Sequence, residues 1–279
     1  MMEMFSILIK ALFYSSALIT SGLALQSAMG LYSRRRLMVL AAFVFLGLVV
    51  LRLIELNANA AGSWSEAFSP DSFRWIWVAN AHQTYTFGIG FFSLILAVML
   101  KPEFLRRSLL GMSAVIIAIG FGLSGHTQSL ETPGIFPFLA MGHILIAGFW
   151  LTAPITLYPR VDTSDTVLLK RVERFSHVAI WLVPLLFVSG IWLLWTISGS
   201  LKAVFTQIYG QTLLIKLLFA TGLLALGAYN KLKVTDHLAE NPDSGRIALG
   251  KTLKAEAALF AGVVILITLA TTVFAPTHG

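Results

Sequence analysis

"RRRLMVLAAFVFLGLVVLRLIEL", residues 34–56, places three arginines ahead of an unbroken apolar run and closes on Arg52 and Glu55. A helix of about 20 residues rises about 30 Å, the thickness of a bilayer's hydrocarbon core. The stretch therefore predicts a membrane-spanning helix, with its basic flank marking one side of the membrane. Similar apolar runs recur along the chain. They predict eight spans, near 5–32, 37–56, 74–100, 107–125, 135–158, 175–198, 208–233 and 254–275. Composition agrees, since 57% of residues are hydrophobic and only 12% are charged. A soluble domain carries about 25% charged residues. The expected fold is all-α, a polytopic bundle of eight transmembrane helices forming one integral membrane domain within the lipid bilayer.

Basic residues set the expected orientation. The connections after spans 1, 3, 5 and 7 hold fifteen Lys and Arg, whereas the opposite connections hold only Arg74 and Lys202. Cytoplasmic loops are the Lys/Arg-rich ones, so both termini are expected outside, in the periplasm of a cell with an inner membrane. The net charge of +7 is explained by this topology and gives no reason to expect nucleic acid. The first apolar stretch begins acidic and is followed by its basic cluster. That order is the reverse of a secretory signal, and the stretch is expected to be a retained span. No connection has room for an independent core. The longest, 57–73, 159–174 and 234–253, are expected to be loops.

Two short elements, Thr84 to Gly88 ("TYTFG") and Thr206 to Gly210 ("TQIYG"), both fit T-x-x-[FY]-G. They suggest two parallel four-helix halves, 1–125 and 126–279, of the kind many transporters use.

The absence of cysteine excludes disulfides, Cys-based zinc sites and iron–sulfur clusters. Any metal must be met by His, Met, carboxylate or backbone groups. Ionisable residues inside spans are functional suspects, and several cluster toward the outer side. His82, His143 and Lys216 each lie eight or nine residues into their spans, roughly 12 Å below the surface at 1.5 Å per residue. Arg52 and Glu55 share a face at the outer end of span 2. "GHTQSLETPGIFPFLAMGHILIAGFW", residues 125–150, adds His126 at the end of span 4, and Met141 beside His143. The glycine before each of these histidines leaves room for a ligand to approach. His278 follows the last span as a weaker outer candidate. On the inner side, Asn230 and Glu256 end and begin spans 7 and 8, either as a polar station or with Glu256 simply favouring its helix N-terminus. Lys10 is expected to snorkel, Trp150 to pack, His177 to sit at the interface and His237 to be solvated. Each histidine also has a plain reading as a helix–helix hydrogen-bonding group.

The ordered set "GH" at 125–126, "GHILIAGFW" at 142–150, "RFSHVAIWLVPLLFVSG" at 174–190, "YGQTLLIK" at 209–216, Asn230, Glu256 and Pro276 resembles the CopD family of copper-resistance inner-membrane proteins. The resemblance is densest in the second half. It implies a protein that moves copper ions, often beside a separate periplasmic CopC-like carrier. It also implies metal roles for His126 and His143, then His82, with Met141 and His278 behind them. Copper would enter through these residues and pass toward Asn230 and Glu256, with Arg52, Glu55 and Lys216 as path or support. No phosphate-binding Gly-Lys loop is present, so ATPase chemistry is not expected, and the chain is read as a non-enzyme. Two other classes stay open. One is a b-type haem electron-transfer protein, with His82 and His143 as axial ligands. The other is a scaffold whose polar residues only hold helices together.

Overall fold

The computed structural model describes residues 2–123, 134–198 and 200–272. Every regular element among them is helical: α1 (Met2–Ala28), α2 (Arg35–Ala61), α3 (Pro70–Met99), α4 (Glu103–Gly122), α5 (Phe136–Leu151), α6 (Ala153–Thr156), α7 (Asp165–Ser198), α8 (Leu201–Thr206), α9 (Ile208–Tyr229), a π-helical segment (Asn230–Val234), α10 (Thr235–Glu240) and α11 (Pro242–Thr272). Eight stretches of the described residues are long and apolar enough to cross a membrane. The chain is a multi-pass membrane protein, as the apolar runs predicted. Helix is the economical choice in lipid, because every backbone N–H and C=O must be satisfied within the span. Local signals set the ends. Pro70 starts α3 at a position that needs no N–H donor. Gly62, at φ 77°, closes α2 in the left-handed conformation and donates its N–H to the Asn59 carbonyl.

The chain divides into two compact units, Met1–Phe149 and Trp150–Gly279. In the first, α1 packs on α2 and α4, and α3 packs on α2 and α4, closing a four-helix ring. Its core is aromatic. Phe87 lies edge-on to Phe13, Phe45 and Phe121, with ring centroids 5.6, 5.4 and 5.4 Å away. Such pairs contribute about 0.5–1.5 kcal/mol each, which matters in lipid, where no expulsion of water drives helices together. Phe87 fits against Gly120, where a Cβ would stand 2.2 Å from the ring. Two side chains stitch α3 to α4: Gln83 donates to the Gly120 carbonyl at 2.9 Å and Ser113 to the Gly90 carbonyl at 2.8 Å. α5 docks on α1, where Gln26 donates to the Phe149 carbonyl at 2.8 Å. Gly148 allows that approach, because a Cβ there would lie 2.8 Å from the Leu18 carbonyl oxygen.

In the second unit α9 packs along α11, and α7 packs on α8, α9 and α10. Phe219 fills the space left by Gly262. Trp150 stacks edge-on to Phe260 at 5.8 Å, the packing role expected of it. One end is fastened by Arg246, which donates to Asp165 at 2.8 Å and to the carbonyls of Thr163 and Arg160 at 2.9 and 2.5 Å.

Three expectations change here. Residues 234–253 are not a loop: the polar stretch "PDSGRIALGKTLK", 242–254, is helical and extends the last span, so α11 begins twelve residues before 254. Apolar content finds the membrane-embedded part of a helix and misses a continuation whose polar face meets water. The segments 57–73 and 159–174 likewise shorten, because α2 runs to Ala61, α3 starts at Pro70 and α7 starts at Asp165. The T-x-x-[FY]-G elements do not hold equivalent places. Thr84 to Gly88 sits in the middle of α3, whereas Thr206 ends α8 and Gly210 is the third residue of α9. Phe87 in the first element is a core knob, a role that packing alone explains.

Candidate functional site

Two buried carboxylates mark the polar interior, one in each unit. Glu55 is fully buried on α2. Arg52, one turn earlier, forms an ion pair with it, and Asn59, one turn later, donates to its other oxygen. The i, i+3 and i, i+4 spacing puts all three on one helix face. From α1, Ser6 and Asn59 exchange hydrogen bonds at 2.9 and 3.3 Å. Lys10, one turn beyond Ser6, interacts electrostatically with both Arg52 and Glu55. Lys10 is only 9% exposed, so it does not snorkel as expected. Its ammonium lies within reach of both the repelling Arg52 guanidinium and the attracting Glu55 carboxylate. Below this cluster, Asn57 donates to the Ala67 carbonyl and ties α2 to the turn before α3, while its Oδ1 has no partner.

The second carboxylate, Glu256, is 2% exposed on α11. Asn230 Nδ2 donates to its Oε1 at 2.8 Å, so these two residues do meet, as their positions at paired span ends predicted. Asn230 opens the π-helical segment. There the Thr235 N–H reaches back five residues to the Asn230 carbonyl, and the Thr235 hydroxyl donates to the same oxygen at 2.9 Å. Such π-segments are rare, and they concentrate at functional sites. The Asn230 side-chain oxygen is buried without a partner. Glu256 forms no ion pair among the described residues.

The candidate copper-facing residues are placed less compactly. His82 is exposed on α3, and its carbonyl accepts from Thr86 at 2.7 Å. α3 starts at Pro70, while its apolar span begins at Phe73, close to the expected 74. His143 is half-buried on α5. Met141 packs against Gly122, where a Cβ would stand 2.3 Å from its methyl group. With Val115, Ala118, Ile119 and Phe138 it lines an apolar groove between α4 and α5. Gly142 borders the same groove with nothing within 4 Å of a Cβ position. His126 and His278 lie outside the described residues. Among the described residues no three His, Asp or Glu side chains gather as a metal site. Lys216 is half-buried on α9 and forms no ion pair among the described residues. His177 is exposed on α7, and His237 pairs with the Ser244 hydroxyl at 2.8 Å near the surface.

Sequence reasoning missed Ser6, Lys10 and Asn59 as parts of the Glu55 cluster. A signal existed: Ser6 and Lys10 are four apart on α1, as Glu55 and Asn59 are on α2. Matched i, i+4 polar pairs on consecutive spans are placed to face each other.

Comparison with known proteins bears on the second unit most directly. The model of the family "Copper resistance protein D" (CopD) matches residues 169–270, a segment that contains both Asn230 and Glu256. The copper transport protein CutJ of Bacillus subtilis (strain 168) is 27% identical over 255 residues, covering 86% of this chain. The chain spans about half the length of that relative, since the match covers 46% of it. No solved structure matches.

Proposed function

We propose, from the match of residues 169–270 to the CopD family model, that this chain carries copper ions through the cytoplasmic membrane and so contributes to copper homeostasis or resistance. The observation that carries this reading is a coincidence. The segment matching a copper-resistance family is also the segment in which a carboxylate and an amide are buried together inside membrane helices. Ionisable groups buried among membrane-spanning helices are costly and are candidates for ion pathways. The similarity to CutJ over most of the chain supports the same cargo.

In this reading His126, His143 and His82 offer imidazole nitrogens to copper on the outer side, and Met141 offers a thioether that suits the monovalent ion. His278 is a further outer donor. The apolar groove beside Met141 and Gly142 leaves the thioether reachable from between α4 and α5. Arg52 and Asn59 engage both oxygens of Glu55, so that carboxylate serves the fold rather than the cargo. Both termini face outward, following the fifteen-to-two division of basic residues. A separate CopC-like carrier delivers or receives the ion at that face.

The test is metal and pigment content of detergent-purified protein, by elemental analysis with an absorption spectrum, wild type against His126→Ala/His143→Ala. Bound copper that the double variant loses, together with copper movement in reconstituted vesicles, is the expected result. A Soret band would replace the copper reading with haem b held by His82 and His143. Neither copper nor pigment, in a protein that also moves no copper in vesicles, would reduce the histidines to helix–helix contacts.

A further inference from the structure

We propose that Asn230 and Glu256 form the binding site of a hard monovalent cation, H+ or Na+, whose movement drives the copper cargo; the proposal rests on the transport reading above and assigns its energy source. Three features of the site point this way. Its donors are all oxygen: Glu256 supplies a carboxylate, and Asn230 supplies a side-chain oxygen that is buried and has no partner. Oxygen donors suit H+, Na+ and other hard ions, whereas the reduced copper ion favours sulfur and imidazole. The site is also short of positive charge. Asn230 Nδ2 gives Glu256 one hydrogen bond, and the other carboxylate oxygen accepts from nothing among the described residues. A buried carboxylate without a counter-charge costs several kcal/mol, and a bound cation or proton removes that cost.

The third feature is the scarcity of protein cations at this level. Lys216 on α9 lies fourteen residues before Asn230, about 21 Å along a helix. Lys231 and Lys233 on the π-helical segment are exposed, as are Asp236, His237 and Glu240 on α10. On α11 itself, Arg246 is engaged by Asp165 and two carbonyls, while Asp243, Lys251 and Lys254 are exposed. α6 carries no titratable side chain. The first unit shows the contrast: its buried Glu55 has Arg52 as an ion-pair partner and Lys10 nearby, and Glu256 has no such cation among the described residues. The π-helical segment adds a means of response. Asn230 holds both the side chain that meets Glu256 and the carbonyl on which Thr235 closes the wide turn. A cation that draws the amide oxygen inward therefore acts directly on the backbone joining α9 to α10.

The experiment uses the full chain in vesicles. Infrared difference spectra are recorded while pH is stepped, and separately while Na+ is added at fixed pH. The expected result is a carboxyl band that answers one of the two ions, is absent in Glu256→Gln and is shifted in Asn230→Ala. Response to pH alone identifies H+, and response to Na+ at fixed pH identifies Na+. In parallel, a tenfold gradient of that ion is imposed and copper accumulation is followed. A one-for-one coupling changes accumulation by about tenfold. Glu256→Gln loses that response and Glu256→Asp keeps part of it. The proposal is overturned if the wild-type band answers neither ion, or if Glu256→Gln keeps the full gradient response. It is also overturned if Glu256→Gln loses bound copper while remaining monodisperse, since Glu256 is then a copper ligand. A band that answers H+ or Na+ in a protein that moves no copper would sink the copper reading and leave the cation site standing.

Discussion

Glu55 and Glu256 are both buried carboxylates on membrane helices, yet their surroundings are opposite. Glu55 has an arginine on its own helix, an asparagine one turn on and a lysine from α1. Glu256 has one neutral amide. The first arrangement is closed: the carboxylate has an ion-pair partner and an amide donor within the protein. The second is open: no ion pair reaches Glu256 among the described residues. A buried carboxylate by itself thus says little about function. What distinguishes a structural group from a working one is whether the protein supplies its counter-charge.

The comparison can be broken most severely by stripping the first cluster. Arg52→Ala combined with Lys10→Met leaves Glu55 buried without a cation, and is expected to cost about 3–5 kcal/mol. Thermal unfolding in detergent should show this as the largest loss in the series. If the double variant unfolds like wild type, Glu55 is not held by its cations. The next effect is steric and lies in the second unit. Gly245→Ala places a Cβ 2.4 Å from the Leu238 Cα, a backbone neighbour that cannot turn away. About 1–3 kcal/mol is expected, read from the same melts.

Glu256→Gln should fall well below both, within about 1 kcal/mol of wild type, because a neutral amide can keep one hydrogen bond to Asn230. A loss as large as that of the Arg52/Lys10 double variant would erase the distinction between the two sites. Lys10→Met alone should be smallest, under about 1 kcal/mol, since Arg52 still pairs with Glu55 and Met fills a comparable volume. The single and double variants together measure how far Arg52 and Lys10 substitute for each other.

Much of the architecture was legible in the sequence because lipid imposes a simple rule: an apolar stretch near twenty residues must be a helix. The eight spans, the packing role of Trp150 and the meeting of Asn230 with Glu256 all follow from length and position. The helical stretch 242–254 was not legible on that rule, since water satisfies its polar face and no apolar run announces it. Lys10 was misread for a related reason. Snorkelling is the default for a lone lysine near a span end, and only the rotation of α1 against α2 reveals that Glu55 waits beside it. Helix rotation also decides whether His82 and His143 meet, and hydropathy carries little information about it. The π-helical turn has no composition signal at all in "NKLKV", 230–234.

That turn has a consequence for how the region came about and how it can be undone. A wide turn accommodates one residue more than an α-helical turn of the same rise, so it amounts to a single-residue insertion absorbed within a helix. Deleting one residue among Lys231, Leu232 and Lys233 would therefore let α9 run straight into α10 as regular α-helix with the flanking faces nearly unrotated, so that Leu238 still meets the backbone of Gly245. The wide turn that Thr235 closes on the Asn230 carbonyl would be lost. Each residue advances an α-helix by about 100°, so the same deletion made within α9 would instead turn everything after it by more than a quarter of a revolution. The region thus tolerates a loss at the wide turn that it would not tolerate one turn earlier.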